Sequence, residues 1–212
     1  MKKLCLSFVA IALSLQTAVL AAAPKPASTR IQGTVESVTA SSISVSTSHG
    51  NQTVAFGPKL RVLDLSKSSL DKVQNNSFIG TTVVPQPDGT YKSTEVHIFA
   101  GSLRGMGEGF TKMNPTGSRM MANAAVHMPS NMMANSTVHS MSSSGAGKTI
   151  SMMFPGKKIT IHIPQDVPVS FINPASRALL EKGKNVLVIC NGAPGKLTAS
   201  TIVVIEPGAS LG

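Results

Sequence analysis

Apolar and polar positions alternate in short runs along most of the chain, the period-two signature of half-buried strands. Gly33 to Val38 reads as a strand, and Ile43-Ser44-Val45-Ser46-Thr47 alternates strictly. His49-Gly50-Asn51 turns the chain back, so Gln52 to Phe56 pairs with it as a hairpin. Leu60 to Leu63 is a short further strand, and Ser66 to Val73 predicts one or two helical turns with Leu70 and Val73 facing inward. Phe78 to Val84 and Tyr91 to Phe99 form a last hairpin around the turn signal Pro87-Asp88-Gly89.

The same order recurs from Val138. Val138 to Met141 opens it. Thr149 to Phe154 and Lys158 to Ile163 form a hairpin joined at Pro155-Gly156, and Val167 to Val169 matches Leu60 to Val62. Pro174 to Lys182 predicts a short helix with proline near its first turn and Gly183 as its stop. Val186 to Cys190 and Leu197 to Ile205 form the closing hairpin. The expected fold class is all-β with minor α: two small five- or six-stranded barrels in tandem, each with a short helix, joined by a Met/Gly/Ser-rich linker. The boundaries are 1–23 for a signal peptide, 24–30 for a tail, 31–99 for the first barrel, 100–133 for the linker, 134–206 for the second barrel and 207–212 for a C-terminal tail.

The signal peptide follows from Met1-Lys2-Lys3, the apolar run Leu4 to Leu15, and small residues at Val19 and Ala21 or at Ala21 and Ala23. The run is shorter than the ~20 residues a spanning helix needs. The expectation is therefore a cleaved signal, a periplasmic location and no transmembrane segment in the mature chain.

Gly33-Thr34-Val35, Pro85 to Thr90, Glu95 to Phe99 and Arg104-Gly105-Met106-Gly107-Glu108-Gly109 together resemble an uncharacterised family of exported proteobacterial proteins. The resemblance spans nearly all of the mature chain. It implies two tandem OB-like β-barrels and carries no established activity or site residues.

The formal charge is +10, of which the signal contributes Lys2 and Lys3. The remaining charge is sparse and spread out, which suits a solvated surface or an anionic envelope partner. Cleavage leaves Cys190 as the one cysteine, set in the apolar run Val186 to Cys190, and a buried inert thiol is expected. Nucleic acid is a poor fit, because the chain has no Trp and one Tyr to serve as stacking platforms.

Ten of the eleven methionines fall between Met106 and Met153. Within that region Met120 to Met128 is echoed by Met132 to Met141. The candidate metal ligands are Met120, Met121, His127, Met128, Met132, Met133, His139 and Met141, whose thioethers and imidazoles suit Cu(I). The other reading is a duplicated linker whose methionines pack flexibly. Glu95 and His97 stand two apart on one strand face and, with Arg104 and Glu108, form a candidate ligand site. Against it stands a solvent-facing polar row opposite Val96 and Ile98. Gly145 to Thr149 imitates the end of a phosphate loop, but Ser142 stands where the pattern needs glycine. No catalytic residue is nominated. The expected function is non-enzymatic binding of an envelope partner or small ligand without a cofactor, with Cu(I) capture as the alternative.

Overall fold

A computed structural model describes residues 28–112, 132–192, 196–209 and 211. The described chain is nearly all β. Its twelve strands are β1 (Thr29–Val38), β2 (Ser42–Thr47), β3 (Gly50–Lys67), β4 (Phe78–Pro85), β5 (Tyr91–Phe99), β6 (Gly109–Lys112), β7 (Met132–Ser144), β8 (Gly147–Phe154), β9 (Lys157–Pro164), β10 (Val169–Ala175), β11 (Asn185–Asn191) and β12 (Thr198–Ile205). Three single 3-10 turns, Leu70–Lys72, Gly101–Leu103 and Arg177–Leu179, are the helical elements among the described residues.

The expected helices are shorter than the sequence suggests, for one reason in both cases. The strands before them run on. β3 continues unbroken from the hairpin through Leu60 and Leu63 to Lys67, leaving a 3-10 turn at Leu70–Lys72. Pro174 is no helix start: it lies in β10 opposite Leu63, and the turn begins only after the extended residue Ser176. Leu70 and Val73 are nonetheless buried as expected, at 4% and 0% exposure. β7 begins at Met132, earlier than Val138, and β6 pairs with it, so the ends of the expected linker are part of the sheet.

The strands follow one hydrogen-bonded path that closes on itself twice. Pairing of β12 with β3 closes a five-stranded barrel of β1, β2, β3, β12 and β11. Pairing of Tyr91 with Ile161 and of Lys92 with His162 joins β5 to β9 and closes a second ring of β5, β4, β7, β8 and β9. β10 stands between them, antiparallel to β3 and parallel to β5. The stretches 31–99 and 134–206 each supply an opening strand and hairpin to one ring and a closing hairpin to the other. Neither stretch closes a ring with its own strands.

Each ring encloses an apolar cluster set by the alternation of its strands. Ile43 and Val45 are fully buried among Val35, Val54, Val186, Val188 and Ile202 in the barrel. Ile79, Val96, Ile150, Met152 and Ile161 fill the second ring. A third cluster of Leu63, Leu65, Ile172 and Val203 lies where the rings meet, with Phe99, Leu187 and Leu211 against it. It exists because β12 and β3 are apolar on both faces. Ile202 and Val204 point into the barrel, and Val203 points out into the seam. Strands covered on both faces need such continuous apolar runs, and burying each of these side chains contributes about 1.5–3 kcal/mol.

Candidate functional site

The two halves are joined by a two-fold pairing pattern. Ser69 and Ser176 precede equivalent 3-10 turns. Counting back from each serine, Leu65 corresponds to Ile172, and these two residues pair with one another. Around that point β4–β5 and β11–β12 take equivalent places. Gly80 pairs with His97 and Asn135; Leu187 pairs with Val203 and Gln32. Two residues further along, Thr82 pairs with Glu95 as Ile189 pairs with Thr201.

A cavity of about 470 Å³ lies along this seam. That is within the range of about 300–1,000 Å³ usual for small-molecule sites. The equivalent positions have different chemistry. Thr82, Glu95, His97 and Asn135 make one wall polar, whereas Leu187, Ile189 and Val203 supply apolar surface on the other half, beside Arg30 and Gln32 of the neighbouring β1, with Ile172 between them. Leu211 also lines it.

Glu95 and His97 therefore do not form the solvent-facing row that strand alternation alone suggests. Glu95 is 8% exposed, because the second face of β5 is turned toward the barrel strands β11 and β12, whose Leu187, Ile189 and Val203 line the same cavity. Thr82 Oγ1 donates to Glu95 Oε1 at 2.6 Å. Glu95 Oε2 lies 3.5 Å from His97 Nε2. His97 Nδ1 is buried and has no hydrogen-bond partner among the described residues. A hydrogen on Nδ1 would have no acceptor there, so the neutral ring's hydrogen belongs on Nε2, toward the carboxylate. On the next strand Asn135 Nδ2 donates to the Gly107 carbonyl at 3.1 Å. A Cβ at Gly80 would come within 2.5 Å of Asn135 Oδ1, so the absence of a side chain there is what admits Asn135.

Arg104 and Glu108 lie apart from the cavity lining and act on its support. The Arg104 guanidinium donates to Thr137 Oγ1 at 2.7 Å and to the Asn76 carbonyl at 2.6 Å. Ser136 Oγ donates to Glu108 Oε1 at 3.4 Å and to the Met153 carbonyl at 2.9 Å. Both residues brace the stretch of β7 that carries Asn135. Thr82, Asn135 and the apolar residues facing them escape sequence reasoning. Counting from the hairpin turn around Pro87-Asp88-Gly89 sets Thr82 opposite Thr94; a β-bulge between Thr82 and Val83 moves it onto Glu95, and the apolar residues come from the other half of the chain.

Of the candidate metal ligands, Met120, Met121, His127 and Met128 lie outside the described residues. Met132 and Met133 are in β7. His139 is exposed on the same strand, and Met141 packs against the core of the second ring. Among the described residues no group of three or more His, Cys, Asp or Glu side chains is placed to hold a metal ion.

The phosphate-loop imitation is a hairpin turn between β7 and β8. Gly147 has φ +131°, and a Cβ there would overlap the Ile163 carbonyl oxygen. Lys148 Nζ donates to the Val73 carbonyl at 2.8 Å. A groove of about 480 Å³ passes this turn, with Asp88, Lys92 and His162 exposed along it. Cys190 is fully buried in the barrel, and burial pushes its thiol pKa up.

No helix of the described residues is long and apolar enough to cross a membrane. No family model matches the chain, and no match to it was found among curated proteins or solved structures.

Proposed function

We propose that this is an exported, periplasmic, non-enzymatic binding protein of two OB-like barrels, whose ligand site is the seam cavity. The observation that carries the reading is the division of that cavity between a wall with a buried carboxylate and the apolar surface of the other half. Small-molecule sites have this character: an apolar lining for affinity and a few fixed polar groups for orientation. Burying a carboxylate is costly unless it is hydrogen-bonded, and Thr82 and His97 hold Glu95 in one place. A Glu–His pair also suits proton transfer. Binding is the better supported role, because the Thr82 hydroxyl is engaged on Glu95 and, among the described residues, the lining contains no serine or cysteine. Export itself rests on the apolar run and small-residue exit near Met1.

The test is native mass spectrometry of protein purified from the periplasm. The expected result is a small-molecule adduct that is released on unfolding and is missing from Leu187→Phe, which fills the apolar half. An adduct retained by that variant, or a bare wild-type protein that takes up no compound from a periplasmic extract, would overturn the reading.

Cu(I) capture is a separate proposal, favoured by His139 standing exposed on the strand that continues the methionine-rich segment. It predicts competition with a Cu(I) chelator at about micromolar affinity or tighter. Loss of that competition on changing Met120, Met121, His127, Met132, Met133 and His139 together supports it, and unchanged competition sinks it.

A further inference from the structure

We propose that the outer face of the second ring binds an acidic polysaccharide, whose carboxylates seat on Lys92 and Lys158. This surface shares no lining residue with the seam cavity and does not depend on it. β8 and β9 turn Ile150, Met152, Ile159 and Ile161 into the core, which leaves Thr149, Lys158, Thr160 and His162 on the outside. Two hollows meet on this face. One of about 240 Å³ contains Lys158, Thr160 and the hydroxyls of Ser140 and Ser151, which share a hydrogen bond of 2.8 Å. The other is the groove of about 480 Å³ with Lys92 and His162 along it, and Thr149 lines both. The row Ser142, Thr149, His162, Lys92 crosses four paired strands. At the usual strand spacing that is about 14 Å, a track that takes an elongated ligand.

The equivalent face of the first ring shows which of these residues the fold requires. Counting back from Leu65 and Ile172, Ser44 corresponds to Ser151 and Thr53 to Thr160. Ser37 and Ser140, each just after a β-bulge, complete the same row of three hydroxyls in both rings. The charged positions differ. Lys158 and His162 take the places of Asn51 and Ala55, and Lys92, paired with His162, takes that of Thr198, paired with Ala55. The first ring is built with neutral residues there, so the architecture does not need the charges of the second.

Lys92 and Lys158 are exposed and make no hydrogen bond or ion pair among the described residues. Lys148 Nζ, by contrast, is engaged on the Val73 carbonyl. Asp88 is the one acidic side chain that lines either hollow among the described residues. Its Oδ1 accepts from the Thr90 N–H and hydroxyl, and its charge acts on His162. The two lysines therefore carry the unanswered positive charge of the face, which favours an anionic partner. The serine and threonine hydroxyls between them both donate and accept, as sugar hydroxyls do. Among the described residues no Phe, Tyr or Trp lines either hollow, so the stacking platform of a nucleic-acid strand is missing.

The test titrates the full-length mature protein with an oligogalacturonate, a neutral malto-oligosaccharide of equal length and a thymidine oligonucleotide, following amide resonances by NMR. The oligogalacturonate is expected to shift Lys92, Thr149, Thr160 and His162, to bind more tightly than the other two probes, and to weaken as salt is raised. Lys92→Glu with Lys158→Glu should lower its affinity roughly tenfold, the scale of two exposed charge pairs lost and reversed. Lys59→Glu with Arg61→Glu makes the same change in net charge at exposed positions of the first ring, and should leave the affinity nearly unchanged. The comparison of probes on the wild type keeps the test decisive if a variant folds poorly. Equal losses in the two double variants would reduce the effect to net charge and overturn the site. Either other probe binding this face as tightly as the oligogalacturonate, or no shift of these residues by it, would overturn the proposal.

Discussion

Leu65 of β3 and Ile172 of β10 are equivalent residues of the two halves, and they face one another in the antiparallel ladder. Around this pair each half gives its closing hairpin to the other's ring. An exchange of like elements of this kind usually joins two protomers; here it is made within one chain. The seam between the rings is consequently an interior, and it holds the cavity.

Exchange makes the rings interdependent. The barrel takes β11 and β12 from one half, and the second ring takes β4 and β5 from the other. The protein should unfold in urea as a single transition, with resonances of Val45 and Ile161 lost together. Leu65→Ala should destabilise both rings equally, by about 2–5 kcal/mol. Separate midpoints for the two residues would contradict this coupling.

Thr82→Val keeps the volume of the side chain but removes the hydroxyl that donates to Glu95 Oε1. Hydrogen bonds to charged groups contribute about 1.5–3 kcal/mol. The variant should lose stability of that order in chemical denaturation at neutral pH.

Gly80→Ala forces a methyl group against Asn135 Oδ1 and to within 3.1 Å of Phe99 Cε2. Asn135 must then turn away from its hydrogen bond to the Gly107 carbonyl. Overpacking of this kind costs about 1–3 kcal/mol. Amide exchange should quicken at Gly107 and in β6, while the β11–β12 half is unchanged.

Asp64 Oδ1 is buried with no hydrogen-bond partner among the described residues. Burial, and then the Glu206 carboxylate, push its pKa up, while Lys184 pulls it down. A carboxyl raised in the fold favours folding while protonated, below its ordinary value of about 3.9. That contribution is lost as pH rises through the folded value. Asp64→Asn should therefore melt at a higher temperature than the wild type near neutrality. The gap should close toward pH 4. A constant gap across a calorimetric pH series would count against this assignment.

Cys190 should react with a thiol reagent only as fast as the barrel opens. Its thiol is fully buried, and its raised pKa keeps it protonated. Labelling that outpaces amide exchange at Val188 would show an access route that the barrel does not provide.

The sequence by itself determined the strands, because alternation is a local property. Ile43 and Val45 against Ser44 and Ser46, the apolar run at Val186 to Cys190 and the turn at Pro87-Asp88-Gly89 all appear in their expected places. It also nominated Glu95 and His97 as neighbours on one face of a strand. Only the tertiary structure decided which hairpin closes which ring, since β-pairing between distant segments leaves no periodic mark in either one. That choice buried the outer face of β5. It turned Glu95 and His97 from a surface row into a cavity wall and brought Leu187, Ile189 and Val203 opposite them.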